Sequence, residues 1–161
     1  MKQFLAPVAI VAMAVAGPAA AQSMAAKTYI AKAGASDLYE KQSSQLVLAS
    51  TKNAQLRDFA NQMIADHTKS TADVKAAAKT AGIAVAPPKL EPMQARNIAV
   101  LKAAKGDARD KLYVEQQKVA HQMALQLHQG YASNGTVPSL KTTAAAIVPV
   151  VEQHLQHTQA M

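Results

Sequence analysis

The segment from Asn53 to Ala81 constrains the fold more than any other part of the sequence, because its apolar residues recur at steps of three and four. That period places them on one face of an α-helix. Asn53 is a residue type that commonly caps a helix N-terminus, whereas Gly82 and the prolines at 87–88 prevent the helix from continuing. The predicted inner face carries Leu56, Phe59, Ala60, Met63, Ile64, His67, Thr71, Val74 and Ala78.

Helical patterns also cover the rest of the chain that follows the N-terminal region. The predicted helices are Thr28–Thr51, a short one at Pro92–Ala104, a long one at Asp107–Tyr131, and a last one that begins at Pro138 and contains Pro149. We expect Pro149 to kink that last helix. Strand-like alternation is missing, and alanine, which loses no side-chain entropy in a helix, is abundant. The sequence therefore predicts an all-α four-helix bundle with a short extra helix in the crossover.

The first residues have the composition of a cleaved export signal. Lys2 precedes an apolar run from Phe4 to Ala16, and the small residues Ala19–Ala21 follow. The run is shorter than the roughly 20 residues needed to span a bilayer, and the pattern matches a secretory signal peptide. We therefore predict a signal peptide at 1–21, a mature domain at 22–161, and a periplasmic or cell-envelope location reached by Sec export.

Charge and composition exclude several classes of partner and site. The chain has no cysteine, which rules out disulfides, thiolate metal sites and a lipoprotein anchor. The net charge is +7, but the basic residues are scattered and aromatic residues make up only 4% of the chain. We expect no nucleic-acid partner, since a basic stripe with a recognisable motif is missing. Loose association with anionic envelope components is the interaction that such a surface permits.

Four polar residues on the inner faces of the predicted helices should meet at one depth. Glu40 and His67 lie at similar distances from the first predicted turn, and His121 and His154 lie at similar distances from the turn near Asn134. With a rise of about 1.5 Å per residue, each pair falls at a comparable height. One carboxylate and three imidazoles could thus converge and hold a transition metal such as zinc, copper or iron.

The same residues allow a reading without metal. A buried hydrogen bond between Glu40 and His67 would satisfy both groups. Other polar residues that could belong to a structural network are Asp37, Asp66, Asp110 and Tyr113. A di-iron oxidase is disfavoured, because its sites use Glu-x-x-His pairs and the sequence contains none. The sequence leaves the choice between the metal site and the network open.

Several of these residues also carry a resemblance to a known family. The run Phe59–Thr68, with its Asp66-His67 pair, resembles the signature of the bacterial exported family DUF4142, a domain of unknown function in the ferritin-like superfamily. Further matching positions, in the family's order, are Glu40, Asp110, Tyr113, His121, Pro149 and His154. The resemblance extends over Thr28–Thr158 and implies a ferritin-like bundle and export, without assigning a reaction.

These observations lead to one functional interpretation and two alternatives. The interpretation is an exported helical bundle with a binding or envelope-stress role, whose interior could hold a transition-metal ion. The first alternative is a metal-dependent oxidase or hydrolase that uses the same His/Glu cluster. The second is a structural protein associated with the envelope through its cationic surface.

Overall fold

The computed structural model describes residues 23–161, which form five α-helices and contain no strand. The helices are α1 (Ala26–Leu48), α2 (Ala54–Thr80), α3 (Pro92–Ala103), α4 (Gly106–Asn134) and α5 (Pro138–Gln159). The predicted all-α, ferritin-like four-helix bundle with a short helix in the crossover is confirmed. The predicted signal peptide at 1–21 lies outside the described residues.

Local chemistry explains where the helices begin and end. The side chain of Asn53 accepts a hydrogen bond from the backbone N–H of Leu56 at 3.1 Å, as expected of an N-cap. Gly82 follows α2 with φ of +68°, and Gly106 opens α4 with φ of +53°. Both values lie in the left-handed region that favours glycine. Helix α5 starts at Pro138 and runs through Pro149 without interruption.

Contacts at the two ends of the bundle show how the helices are arranged in space. The α1–α2 turn is joined to the start of α4 by a 2.7 Å hydrogen bond from Thr51 Oγ1 to Asp110. The opposite end is joined by a 2.9 Å hydrogen bond from Ser139 Oγ to the carbonyl oxygen of Ala77. The crossover between α2 and α4 therefore spans the length of the bundle, and α3 packs on α1 and α4 along it. Helix α1 packs against α2 and α4, and α5 packs against α2 and α4.

The interior consists of two apolar clusters with a polar layer between them. One cluster, which includes Tyr29, Val74 and Leu140, lies towards the α4–α5 turn. The other, which includes Phe59 and Tyr113, lies towards the α1–α2 turn. Along each long helix, buried polar residues fall between the two apolar groups. These buried polar residues are Asp37, Glu40, Ser43, Ser44, His67, Ser70, Gln117, His121 and His154.

Among residues 23–161, no helix is both long and apolar enough to cross a membrane.

Candidate metal centre

Three histidines from three different helices meet in the polar layer. They are His67 of α2, His121 of α4 and His154 of α5, and one nitrogen from each lies within 4.8 Å of the others. Their ring centroids are separated by 5.2–5.8 Å. Their exposed fractions are 5%, 0% and 1%, so the cluster is shielded from solvent. The sequence predicted this convergence from residue heights alone.

Each imidazole uses its outer nitrogen for a hydrogen bond to an oxygen atom. His67 Nδ1 lies 2.9 Å from Oδ1 of Asp37. His154 Nε2 lies 2.9 Å from Oδ2 of Asp66, and His121 Nδ1 lies 2.9 Å from the carbonyl oxygen of Gln117. Metal-binding histidines commonly have such oxygen partners, which fix the ring orientation and the tautomer.

The inner nitrogens of the same rings have no hydrogen-bond partner. These atoms are His67 Nε2, His121 Nε2 and His154 Nδ1, and all three are buried. A carbonyl or carboxylate oxygen accepts a hydrogen bond, so the outer nitrogen of each neutral ring carries the proton. In the neutral rings, each inner nitrogen is then an acceptor. His67, whose pKa is raised, carries a proton on its inner nitrogen as well when its ring is charged. A buried acceptor without a partner costs free energy, and a metal ion would satisfy all three at once.

Burial and neighbouring charges decide the protonation of these rings. Burial, together with the nearby His67, lowers the pKa of His121 to about 3. Burial also lowers the pKa of His154, although the hydrogen bond to Asp66 opposes that shift. For His67, burial acts to lower the pKa, but the Asp37 hydrogen bond and the charge of Glu40 outweigh it and raise the pKa. His121 and His154 are therefore held in the neutral form that binds metal.

Glu40 lies close enough for its charge to act on His67, yet it is not one of the residues that meet within 4.8 Å. Both of its carboxylate oxygens are buried without a hydrogen-bond partner. Burial raises the pKa of Glu40 to about 7, although the nearby His67 opposes this shift. The alternative of a buried hydrogen bond between Glu40 and His67 is wrong, because the structure contains no such bond. Asp37 lies one helical turn earlier on the same face and takes the ring nitrogen instead.

The polar residues predicted to form one structural network belong to separate groups. Asp37 and Asp66 support the histidine cluster. Asp110 accepts a hydrogen bond from Thr51 at the end of the bundle, and the Tyr113 hydroxyl lies 2.7 Å from Ser44 Oγ. A single network of these four residues is therefore not what the structure contains.

Sequence analysis missed two residues that support the cluster. Thr71 Oγ1 donates a 2.9 Å hydrogen bond to Oδ2 of Asp37. Gln117 is fully buried and places its carbonyl oxygen against His121. Gln117 precedes His121 by one helical turn, but any residue there would present the same backbone carbonyl, so its residue type gave no signal.

The residues present fit a transition-metal ion. Imidazole nitrogens suit zinc and copper, and a carboxylate oxygen is a common additional ligand. Zinc–nitrogen bonds of about 2.0–2.1 Å would draw the three rings closer together. Three large cavities, of about 310, 460 and 230 Å³, lie along the described part of the chain, and none of them is lined by His67, His121 or His154. Asp37 lines the second of these cavities.

Comparison with known proteins agrees with this fold. The family model described as "Domain of unknown function (DUF4142)" matches residues 12–161. No curated protein matches the sequence. The DUF305 fragment from Deinococcus radiodurans superposes with a TM-score of 0.73 at 12% identity, covering 84% of this chain and 93% of that one. A Streptomyces coelicolor protein, described as a secreted DUF305 protein, superposes with a TM-score of 0.64 at 14% identity, covering 83% and 88%. At these identities the two structures show similarity of fold alone.

Proposed function

The chain belongs to the DUF4142 family, and from that premise we propose that it binds one transition-metal ion, zinc or copper, inside its bundle. The ligands are His67 Nε2, His121 Nε2 and His154 Nδ1. The observation that carries the proposal has two parts. One nitrogen from each ring lies within 4.8 Å of the others, and each ring has one buried nitrogen without a hydrogen-bond partner while its other nitrogen is bonded. A charged His67 supplies one donor to this set but does not provide a partner for all three nitrogens at once, which a metal ion would do.

Glu40 is the residue that we propose as a fourth ligand. Its two buried oxygens have no other partner, and an ionised carboxylate in such a place is costly unless a cation neutralises it. A bound divalent ion would supply that charge and would hold the carboxyl group in its ionised form. Three imidazoles and one carboxylate would then complete the tetrahedral coordination that zinc prefers.

Burial of the cluster favours metal retention over catalysis. Catalytic zinc sites keep one coordination position open to substrate and water, whereas closed four-ligand sites are structural. The three histidines are nearly inaccessible, and the cavities described above do not reach them. The metal-dependent oxidase or hydrolase therefore remains the second candidate, and binding or a role in envelope stress is the function that we favour.

Metal content provides the direct test. Untagged protein that has been equilibrated with zinc and then dialysed should retain one zinc ion per chain in elemental analysis. We expect His67→Ala, His121→Ala and His154→Ala each to lose it, because each removes a ligand. His157→Ala is the matched control, since His157 lies outside the cluster on the same helix as His154, and it should retain the ion. Protein without zinc under these conditions would contradict the proposal.

We also propose that the protein is exported and associates loosely with anionic components of the envelope. The N-terminal pattern of Lys2, an apolar run and Ala19–Ala21 supports export, as does a structural neighbour that is described as secreted. Mass spectrometry of protein from a native host should show Gln22 as the first residue, in a periplasmic fraction. A high-salt wash should release any envelope-bound part, since screening weakens such contacts. An intact Met1 would contradict export.

A further inference from the structure

A cavity of about 310 Å³ lies between α1, α3 and α4, outside the histidine cluster. Three methionines from three parts of the chain line it: Met24 precedes α1, Met93 belongs to the first turn of α3, and Met123 belongs to α4. Met93 and Met123 are 51% and 47% exposed. This cavity is therefore an open groove whose walls carry thioether sulfur atoms.

Ordinary core packing does not account for these methionines. Of the other methionines that the structure describes, Met63 is fully buried, and Met161 packs against the apolar cluster near the α1–α2 turn. Those two fill space in the core, which is the usual role of methionine. Met93 and Met123 instead leave about half of their surface in water, at a cost that Lys or Gln at the same positions would avoid.

The other side chains in the groove narrow the kind of ligand that it can take. Its charged residues are Lys32 and Glu91, which lie 3.8 Å apart and neutralise each other. Its lining includes no histidine, aspartate or cysteine. Hard divalent cations need several carboxylate or carbonyl oxygens, and zinc needs imidazole, thiolate or carboxylate. The one carboxylate of the groove, Glu91, is engaged by Lys32 and by the N-terminus of α3, and the other oxygen atoms belong to neutral amides and hydroxyls. The three thioether sulfurs are the soft ligands of the groove, and soft thioethers select monovalent copper.

We propose that Met24, Met93 and Met123 form a surface site for Cu(I). It is separate from the histidine cluster, whose nitrogen ligands lie in the bundle interior, and it does not depend on that cluster holding a metal. The flexible side chain of methionine lets three sulfurs from different elements close around one ion. The groove is open to solvent, so an ion can bind and leave without opening of the bundle.

The test uses two soft cations. Ag(I), which is redox-inert, serves as the probe for spectroscopy. The affinity for Cu(I) is measured under anaerobic reducing conditions by competition with a chromogenic chelator. In spectra of protein with isotope-labelled methionine methyl groups, one equivalent of Ag(I) should shift the signals of Met24, Met93 and Met123. The signals of Met63 and Met161 should not shift. In a His67→Ala and His121→Ala background, where the interior histidines do not compete for copper, Met93→Leu and Met123→Leu should each weaken Cu(I) binding on the order of tenfold, because each removes a sulfur ligand.

Met161→Leu is the matched control, since it removes a partly buried methionine outside the groove, and its Cu(I) affinity should equal that of the parent. Leucine is close to methionine in volume, so all of these variants should fold. A combined His67→Ala and His121→Ala variant should keep the Cu(I) site, which separates this proposal from the interior centre. The proposal is overturned if the three groove signals do not respond to Ag(I), or if the leucine variants bind Cu(I) as the parent does.

Discussion

Zinc should raise the free energy of unfolding of the metal-free protein by about 4 kcal/mol when free zinc is about a thousand times its dissociation constant. The reason is that the three lone pairs of His67, His121 and His154 converge only in the folded chain. An ion that binds the folded state and not the unfolded one shifts the equilibrium by mass action. Urea unfolding of chelator-treated protein, with and without added zinc, measures the effect.

The single-histidine variants distinguish a metal site from a structural hydrogen-bond network. His121→Ala should lose most of the zinc-dependent gain, as should His67→Ala and His154→Ala, each compared with its own metal-free form. Without metal, His121→Ala should be less stable than the parent by about 1–3 kcal/mol, because loss of the buried imidazole leaves a cavity and removes its hydrogen bond to the carbonyl oxygen of Gln117. A parent whose stability does not change with zinc, alongside destabilised variants, would show that the cluster is a structural network. His157→Ala is the control for both measurements.

The helices could be predicted because local chemistry agrees with the final packing. Apolar spacing placed α2 within one or two residues, and Asn53 and Pro138 marked the starts of α2 and α5. The sequence predicted a start for α4 at Asp107, whereas α4 begins at Gly106 in the structure. The φ of +53° at this glycine explains why one residue can both end the connection from α3 and begin the next helix.

The position of the candidate site along the bundle axis could be predicted from the sequence, but its hydrogen-bond partners could not. Residue counts from the turns set the height of His67, His121 and His154, because helix rise is constant. Counting cannot decide between Asp37 and Glu40 as the partner of His67, since the two lie less than one turn apart on the same face. Side-chain reach and rotamer decide it, and both depend on how α1 rotates against α2. The support of His121 by a backbone carbonyl could not be deduced from residue types at all.

Acid should destabilise the protein through a buried histidine outside the cluster. His128 is 3% exposed, and its Nδ1 lies 3.0 Å from the hydroxyl of Tyr29. Burial lowers the pKa of His128 to about 4, against the opposing charge of Asp37. An unfolded chain protonates this histidine near pH 6.5. As the pH falls from 6.5 to 4, the unfolded state takes up a proton that the folded state does not, so the free energy of unfolding decreases.

Over that range, His128 should lower the free energy of unfolding by about 3 kcal/mol, because its pKa differs by roughly two to three units between the folded and unfolded states. His128→Gln removes the titrating group. At neutral pH this variant should be less stable than the parent by about 1 kcal/mol, because the bond to Tyr29 is lost or weakened. Near pH 4 the variant should be the more stable of the two proteins, because it lacks the group that is protonated in the unfolded state but not in the folded state.

Urea unfolding of both proteins at a series of pH values, in the presence of a chelator, tests this crossover. The chelator removes effects of bound metal, so the difference between the two profiles reports His128 together with its coupling to His67. His157→Gln serves as the control, because His157 is only partly buried, and its stability profile should run parallel to that of the parent. Parallel profiles for His128→Gln and the parent would mean that protonation of His128 does not drive acid unfolding. The Tyr29–His128 pair would then matter for packing alone.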